Sequence, residues 1–399
     1  MRILQLCNKP PLPPVDGGAM GLHFLTECLL EQGCEVKVFS VASAKHPVLW
    51  DRLPKEYLDA TGFEAVEVDL SVHPIDAGVS LLCGDSYNVK RYESPAFEQR
   101  LTAILKEQRF DIVVVESIYL TPYLPAIRKY SDAKVVVHCH NVEHEIWRRN
   151  ALQERQPMKR WYLKKLALSL RMYELEHLSH YDAVVCVAAT DAATFRKECP
   201  SLRKPMFVLP FGVVPPKEEP TAPSSKVYHL GAMDWLPNQE GVRWLAHEVW
   251  PLVRQQCPDA ELYLAGRRMD NKMMAWQLPG VHPVGEVEDA AQFLEDKGIC
   301  LVPLFAGSGI RVKMIEAMAA GKAVVSTSIG VQGIEAQNGE HLLIGDTAAD
   351  FAHQVVRLLH DDALRLSLAT KGRQLIDQHY NRHLLSQQIF TFFNNIIER

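Results

Sequence analysis

The stretch that decides the fold is LVPLFAGSGIRVKMIEAMAAGKAVVSTSIG, which runs from Leu301 to Gly330. An apolar run over residues 299–304 predicts a buried strand, and a short loop that contains glycine follows it. Residues 310–320 then have the pattern of a helix, which Gly321 would end as a glycine just past the last turn. A second apolar run over 323–327 predicts the next strand. Strand, loop, helix and strand together predict one compact βαβ unit.

The loop and the first turn of this helix carry the polar chemistry of the unit. Small residues over 307–309 let a ligand approach the backbone, and a helix N-terminus offers unpaired N–H groups to an anion. Arg311 and Lys313 fall in the predicted first turn, where positive charge opposes the helix dipole. We therefore interpret them as partners of an external anion such as a diphosphate. Glu316 shares a face with Lys313 and has apolar neighbours, which predicts a partly buried carboxylate that binds sugar hydroxyls. The alternative is a Lys–Glu pair on a solvated helix face.

The same stretch resembles the donor-site signature of family 4 glycosyltransferases, which are retaining enzymes that use nucleotide sugars. That signature has two glutamates separated by seven residues, with a glycine-rich turn between them. The second glutamate matches Glu316, and the resemblance implies that it binds the ribose of the nucleotide. Ser308 stands where the signature has its first glutamate, which contacts the donor sugar. The resemblance implies substrate contacts from Ser308 and from backbone amides over 309–312, which include Gly309 and Ile310; a different donor sugar is the alternative.

The resemblance also implies catalysis without a metal ion or a cofactor, because the nucleotide-diphosphate sugar is itself a substrate. Arg311, Lys313 and the amides over 309–312 would then meet the charge of the leaving diphosphate. Many relatives have a basic residue soon after the first strand of the second domain. This chain has Met-Asp-Trp at 233–235 instead, which assigns the phosphate contacts to Arg311 and Lys313. We assign the general base to no side chain, because the leaving phosphate itself can accept the proton.

Length and composition favour an ordinary globular protein with more than one core. The chain has 399 residues, which suits two domains, and it is 47% hydrophobic and 23% charged. Its net charge of −5 gives no overall basic field for nucleic acid. Nine cysteines occur without any C-x-x-C pair, so we expect thiols in a reducing compartment and a cytoplasmic protein. We find no apolar run near the roughly 18 residues that cross a membrane.

The resemblance implies an α/β protein of the GT-B fold, with two facing Rossmann-like doubly wound domains and an interdomain cleft. We predict an N-terminal, acceptor-side domain over residues 1–213 and a linker rich in Pro and Ser over 214–226. A C-terminal domain over 227–380 would bind the nucleotide sugar. A last helix over 381–399 would return to the N-terminal domain.

A glycine pair marks the first βα connection of the chain. Gly17 and Gly18 follow the first predicted strand and precede a helix that we predict over residues 19–32. Such a pair is often only a turn. In the family, a Gly-Gly loop at this place lines the cleft, so the resemblance implies that Gly17 and Gly18 bind substrate.

A second polar segment, HCHNVEH at 138–144, follows the predicted strand over 133–138. Ligands of open α/β sheets bind beyond the carboxyl ends of the strands. His140 and Asn141 match a His-Asn step of the family, which implies that His140 contacts the donor sugar near the reacting carbon. Asn141 would bind substrate, and Glu143 would orient the acceptor. The alternative is a metal site, since alternate histidines on one strand face can share an ion.

A basic helical region over 147–171 mixes arginines and lysines with tryptophan and leucine. One interpretation is a surface helix that covers the sheet. The other is peripheral contact with an anionic membrane face, which suits lipid-linked as well as glycan acceptors.

Two further functions stay open: a non-catalytic protein that binds nucleotide sugars, for which Ser308 is the only support, and an epimerase of the GT-B type.

Overall fold

The chain folds into two compact units, each described by itself below. One unit comprises Met1–Phe211 together with Leu385–Arg399, and the other comprises Gly212–Leu384. The structure, a computed structural model, describes residues 1–14, 16–73, 80, 86–216, 224–306 and 311–398. Most of the predicted linker therefore lies outside the described residues.

The first unit is built on a seven-stranded sheet in which neighbouring strands pair in parallel. Its order is β3-β2-β1-β4-β5-β6-β7, the order of a doubly wound Rossmann-like sheet. The strands are β1 (Arg2–Cys7), β2 (Glu35–Ala42), β3 (Glu64–Glu67), β4 (Ile112–Glu116), β5 (Lys134–Cys139), β6 (Ala183–Cys186) and β7 (Met206–Val208). Central strands β1, β4 and β5 are almost wholly buried, as their apolar sequences require when helices cover both faces.

The helices of the first unit include α1 (Gly17–Glu31), α2 (Lys55–Thr61), α3 (Tyr87–Lys90), α4 (Pro95–Glu107), α5 (Leu124–Tyr130), α6 (Glu143–Gln153), α7 (Pro157–His177) and α8 (Ala189–Glu198). They pack two apolar cores, one on each face of the sheet. The basic helical region predicted over 147–171 is two helices, α6 and α7, and the break between them ends at Pro157, where proline occupies the first turn of α7.

The second unit contains a six-stranded parallel sheet in the order β10-β9-β8-β11-β12-β13. Its strands are β8 (Val227–Leu230), β9 (Leu262–Ala265), β10 (Val281–Gly285), β11 (Ile299–Val302), β12 (Ala323–Ser326) and β13 (Leu343–Ile344). Its helices include α9 (Leu236–Trp244), α10 (Trp250–Gln256), α11 (Asn271–Met274), α12 (Ala290–Leu294), α13 (Val312–Ala319), α14 (Ala348–His360) and α15 (Asp362–His379). The prediction of two Rossmann-like sheets is thus confirmed.

The βαβ unit predicted from the opening stretch is confirmed in its described part. Strands β11 and β12 pair in parallel, with Ile299 opposite Ala323. Between them, α13 buries Met314, Ile315 and Met318 against the sheet. Gly321 follows the helix with φ +64°, a conformation that glycine adopts without steric cost.

The last helix, α16 (Arg382–Ile397), packs on the first unit although it follows the second in the chain. Leu385, Ile389 and Phe393 join the core that contains Ile3 and Leu25. Hydrogen bonds join Val213 to Tyr380 and Arg382, so the two chain segments that leave the second unit are held side by side within it. Among the described helices, none combines the length and apolarity that a membrane span needs.

Candidate functional site

The polar centre of the first unit is a buried carboxylate, Glu116, at the carboxyl end of β4. His138 in β5 and His140 just after β5 both direct a ring nitrogen at the same carboxylate oxygen, Oε2, at 2.8 Å. Gln5 of β1 donates to the other oxygen, Oε1, at 2.7 Å. Adjacent parallel strands bring these groups together, because their carboxyl ends meet at one edge of the sheet.

The charge state of this cluster follows from its surroundings. Burial raises the pKa of Glu116, but the adjacent His138 and the hydrogen bonds from both histidines outweigh it and hold the pKa at about 2. Glu116 is therefore ionised at neutral pH and can only accept. The His140 nitrogen that faces it, Nε2, must then carry a proton. Burial, with His138 beside it, lowers the pKa of His140, so its imidazole is neutral at pH 7 with Nδ1 unprotonated.

Helix α1 runs beside the His140 ring at Gly21. A Cβ at Gly21 would lie 2.9 Å from His140 Nδ1, so only glycine lets the ring pack against the helix without a shift. Thr26, one turn further along α1, donates to Gln5 Oε1 at 2.7 Å and fixes the amide that supports Glu116. Helix α1, strand β1 and the His140 ring are thus connected through Gln5 and Glu116 by hydrogen bonds.

The predicted glycine pair opens α1. Gly17 and Gly18 are its first two residues, and Asp16 caps the helix by accepting from Ala19 N at 2.9 Å. Lys9 donates to the same Asp16 oxygen at 2.6 Å. A Cβ at Gly17 would meet nothing within 4 Å, whereas one at Gly18 would lie 2.5 Å from Lys9 Nζ. The pair therefore leaves the helix N-terminus open and makes room for a lysine that the sequence did not single out.

Asn141 and Glu143 continue the chain beyond His140. Tyr119 donates to Glu143 Oε2 at 2.7 Å, and the Asn141 side chain also bonds this carboxylate. Burial, helped by the nearby charge of Glu174, raises the pKa of Glu143 to about 7 despite those hydrogen bonds. Glu143 is therefore able to hold or release a proton near neutral pH.

The histidine segment could hold a metal in two places. Ligand atoms of Glu116, His138 and His140 all lie within 4.8 Å of one another, as do those of His144, Glu145 and Glu198. The metal alternative drawn from the sequence relied on the histidines alone and so missed Glu116. In the first group, however, hydrogen bonds from two imidazoles and Gln5 already satisfy the carboxylate.

The second unit gathers cations at the start of α13. Arg311 lies at the N-cap position, one residue before the helix and not within its first turn as predicted. Its side chain is buried, which lowers its pKa, and its guanidinium lies 5.9 Å from the centre of the Trp235 ring. Lys313 donates to Asn238 Oδ1 at 2.7 Å. Burial, reinforced by the charge of Arg311, lowers the pKa of Lys313 to about 8.

Glu316 differs from its prediction in one respect. Its side chain is exposed, not partly buried, because Met314, Ile315, Ala317 and Met318 all turn toward the core and leave position 316 on the open face. Desolvation by the surrounding protein still raises its pKa, although the charge of Lys313 acts in the opposite sense. The described residues include no Lys313–Glu316 ion pair, since Lys313 bonds Asn238 instead. Glu316 therefore presents its carboxylate to solvent.

Glycine and histidine at the end of β8 shape the space around Lys313. A Cβ at Gly231 would lie 2.5 Å from Lys313 Nζ and 3.0 Å from His229 Nε2. His229 is fully buried and hydrogen-bonds Leu301 O through Nδ1 at 2.9 Å. Burial and the charge of Lys313 hold the pKa of His229 well below its usual value, so its ring is neutral. The sequence did not predict Asn238, His229 or Gly231 as site residues.

The structure thus assembles the predicted site residues in two places. His140, Asn141, Gly17 and Gly18 belong to the first unit, and Arg311, Lys313 and Glu316 belong to the second. The predicted substrate residues Ser308, Gly309 and Ile310 lie outside the described residues. Residues that sequence reasoning missed, such as Gln5 and Glu116, carried a weak signal: a polar side chain within or at the end of an apolar strand.

Comparison with protein families identifies the chain. A model described as Glycosyltransferase Family 4 matches residues 15–215, which is half of the chain, and one described as Glycosyl transferases group 1 matches residues 224–361. The chain belongs to Glycosyltransferase Family 4. It is a glycosyltransferase, and the prediction made from the donor-site signature is confirmed at the level of the family and its activity.

Curated relatives of this family 4 enzyme are distant in sequence. A Klebsiella pneumoniae protein described as an uncharacterized 44.6 kDa protein in the cps region is 22% identical over 409 residues, which cover 98% of this chain and 99% of the relative. The phosphatidyl-myo-inositol mannosyltransferase of Mycolicibacterium smegmatis is 26% identical over 153 residues, which cover 37% of this chain and 39% of that enzyme.

Solved structures share the fold of this family 4 enzyme over its whole length. Sucrose-phosphate synthase from Thermosynechococcus elongatus is 16% identical, with a TM-score of 0.68 over 100% of both chains. The Anabaena protein HepE, solved in complex with UDP, is 13% identical, with a TM-score of 0.65 over 99% of this chain and 100% of its own. At these identities the likeness shows the fold alone, and it confirms the GT-B class.

Proposed function

We propose that this glycosyltransferase moves a sugar from a nucleotide-diphosphate sugar to a glycan, lipid-linked or small-molecule acceptor with retention of configuration, and that it needs neither a metal nor a cofactor. The observation that carries the proposal is the closeness of two cations, the buried Arg311 and the half-buried Lys313, at the start of α13. Two cations held together in partly desolvated surroundings attract an anion more strongly than they would in water. A diphosphate fits both of them and a helix N-terminus that already favours anions.

The second unit is proposed to bind the donor. Arg311 and Lys313 contact the diphosphate, and the exposed carboxylate of Glu316 accepts hydrogen bonds from ribose hydroxyls. Ser308, Gly309 and Ile310 are proposed to contact the donor near its sugar, in line with the family signature. HepE was solved with UDP, which makes UDP sugars the first donors to test.

The first unit is proposed to act on the transferred sugar through His140. A neutral imidazole whose Nε2–H is committed to Glu116 leaves Nδ1 as an acceptor, which suits a donor-sugar hydroxyl near the reacting carbon. Arg311 and Lys313 then stabilise the charge that develops on the departing diphosphate. The diphosphate accepts the proton of the acceptor hydroxyl as the new glycosidic bond forms on the same face of the sugar.

The acceptor is proposed to bind the first unit near Gly17, Gly18 and Asn141, with Glu143 orienting its hydroxyl. The hydrogen bond from Tyr119 fixes the Glu143 carboxylate, so its direction is set before an acceptor arrives. The name of the mycobacterial relative, a phosphatidyl-myo-inositol mannosyltransferase, supports a lipid-type acceptor among the candidates.

Peripheral contact with a membrane through residues 147–171 is part of the proposal, with the protein on the cytoplasmic side. Helix α7 has a second apolar stripe on its outer face in addition to the face that it buries. The stripe consists of Met158, Trp161, Leu168 and Met172, which are between 51% and 87% exposed. Lysines at 159, 164 and 165 accompany it and favour an anionic lipid surface.

Calorimetric titration tests the donor assignment. UDP, GDP, ADP and their common sugar conjugates are titrated in EDTA into the wild type and into Glu316→Ala. We expect one nucleotide to bind without metal and to lose roughly tenfold to a hundredfold in affinity in the variant, since a hydrogen bond to a charged group contributes about 1.5–3 kcal/mol. Unchanged affinity in Glu316→Ala would contradict the ribose contact. Binding that requires a divalent cation would contradict metal independence and favour the Glu116–His138–His140 group as a metal site.

A further inference from the structure

An open cavity of about 630 Å³ lies at the elbow between α6 and α7, within the segment proposed above to contact a membrane, and none of its lining residues is among those assigned to the donor or the acceptor. This volume falls in the range of small-molecule sites. An indole and a leucine side chain form its apolar wall, and amide and charged side chains form the rest. The lining residues are Trp147, Asn150, Gln153, Glu154, Arg155, Gln156, Lys159 and Leu163.

The elbow that frames the cavity is held by Glu154. Its carboxylate accepts from Gln156 N at 3.0 Å and from Lys159 Nζ at 2.6 Å. Its carbonyl oxygen accepts from Arg160 Nε at 2.8 Å. These contacts hold the turn between the two helices and so shape the cavity.

Most of the polar side chains around the cavity have no protein partner. Within the described ranges, Asn150, Gln153 and Gln156 make no side-chain hydrogen bond, and Arg155 forms no ion pair. Lys159 is matched by Glu154, so Arg155 leaves the lining with one positive charge in excess. Amide groups bind hydroxyls, and the face of an indole packs on an apolar ring face. The one unmatched guanidinium can pair with an acid.

Trp147 connects the cavity to the predicted acceptor residues. Its indole N–H lies 3.4 Å from the Tyr119 hydroxyl, which in turn donates to Glu143 Oε2 at 2.7 Å. The Asn141 side chain bonds the same carboxylate. A molecule in the cavity would therefore be connected, through Trp147 and Tyr119, to the carboxylate proposed to orient the acceptor.

We propose that this cavity binds a sugar residue of the acceptor that carries an acidic group, either a carboxylate or a phosphate. Trp147 contacts the apolar face of the ring, the amides of Asn150 and Gln153 bind its hydroxyls, and Arg155 pairs with the acid. The inference rests on the proposed function, because it names the chemistry of the acceptor. It concerns only the first unit, so it can fail while donor binding in the second unit holds.

The test follows the indole N–H signal of Trp147 by ¹⁵N–¹H NMR in the full-length protein, with Trp147→Phe to assign the signal. The probes are D-glucose 6-phosphate, D-glucuronate, D-glucose, inorganic phosphate and acetate at equal ionic strength. We expect the two acidic sugars to shift the signal with at least tenfold higher affinity than glucose, phosphate or acetate.

Two variants decide which groups carry the binding. Arg155→Ala should lose about tenfold or more in affinity for both acidic sugars, whereas Arg52→Ala, which removes an exposed arginine elsewhere on the first unit, should change nothing. A preference for glucose 6-phosphate or for glucuronate identifies the acid. Equal binding of inorganic phosphate or acetate, equal binding of glucose, or no shift at all would each overturn the proposal.

Nucleotide titration on the same samples tests this inference separately from the proposed function on which it rests. Nucleotide binding with no sugar binding would refute the subsite and leave the donor site standing. Sugar binding without binding of any nucleotide would contradict the proposed function, because that function requires a nucleotide-sugar donor to bind.

Discussion

At the scale of single residues, the ring of His140 is held from two sides by groups that sequence alone did not connect to it. Glu116 bonds its Nε2, and the missing side chain of Gly21 leaves room for the ring against α1. The sequence predicted His140 from its place after a strand. Glu116 and Gly21 are 24 and 119 positions away, so only the fold brings them together.

The substitution Gly21→Ala should move the His140 ring without lowering the stability of the folded protein. A methyl group would press on the His140 ring and displace it, whereas alanine favours a helix interior over glycine by up to about 1 kcal/mol. We therefore expect a tenfold or greater loss of kcat with unchanged or slightly higher thermal stability. Donor affinity, measured by calorimetry, should not change, because α1 belongs to the first unit. Wild-type kcat in Gly21→Ala would show that the contact with the ring is unimportant.

Glu116 should also contribute to stability in a way that depends on pH. Its pKa lies at about 2, below its usual value, so its ionised form stabilises the folded state. That contribution is complete above about pH 4.5 and is lost as the pH falls toward 2. Its size is on the order of 3 kcal/mol, because each pKa unit is worth about 1.4 kcal/mol.

Hydrogen exchange of the β4 and β5 amides measures this contribution in the first unit alone. Glu116→Gln should lower protection at pH 7, and its difference from the wild type should shrink as the pH falls from 4.5 to 2. Glu67→Gln, on the edge strand β3, is the matched control, because Glu67 is exposed. A difference that stays constant with pH would contradict an ionised, stabilising Glu116.

Lys313 should make the affinity for the donor depend on pH above neutrality, whereas Glu116 acts at acidic pH. Its pKa is lowered to about 8, so the charge that faces the diphosphate is present at pH 7 and is lost as the pH rises through 8. Titration of a UDP sugar should show affinity falling above pH 8, by at most about tenfold per pH unit. Lys313→Arg stays charged and should abolish the fall. A wild-type affinity for the donor that does not change with pH would contradict a contact between Lys313 and the diphosphate.

At the scale of elements, apolar runs and glycine positions were sufficient to find most strands and helices. Strands β11 and β12 begin at the predicted residues, 299 and 323, because each apolar run starts directly after a glycine or a lysine. The exposure of Glu316 was the main error. Its neighbours in sequence are apolar, but a helix of 3.6 residues per turn sends them all to one side. Residues such as Asn238, which reach the site from another helix, leave no local pattern.

Helix α7 allows a direct test of the membrane contact. Replacing Trp161 and Leu168 by serine removes two exposed apolar groups from the stripe, each worth about 1.5–3 kcal/mol when buried. Sedimentation with phosphatidylglycerol vesicles should show at least a tenfold loss of binding for this double variant. Leu366→Ser removes an exposed leucine from α15 and is the control. Equal sedimentation of all three proteins would refute contact through this stripe.

At the scale of the whole molecule, two sheets whose strand order agrees over six strands carry different chemistry. The first presents histidine and carboxylates at the ends of its central strands, and the second presents lysine, arginine and glutamate around α13. The second set is contiguous in sequence, so the sequence could single out Arg311, Lys313 and Glu316 together, and their roles stay predictions. The first set is spread over β1, α1, β4 and β5, so the sequence revealed only its contiguous piece at 138–144.

Turnover followed by ¹H NMR in EDTA tests the central claim most directly. The donor found by calorimetry is mixed with the enzyme, and the anomeric signal of the first-formed product is observed, whether the sugar passes to an added acceptor or to water. We predict consumption of the donor, a product with the anomeric configuration of the donor, and little activity in His140→Ala. A product of inverted configuration, or complete loss of turnover in EDTA that a divalent cation restores, would contradict the account.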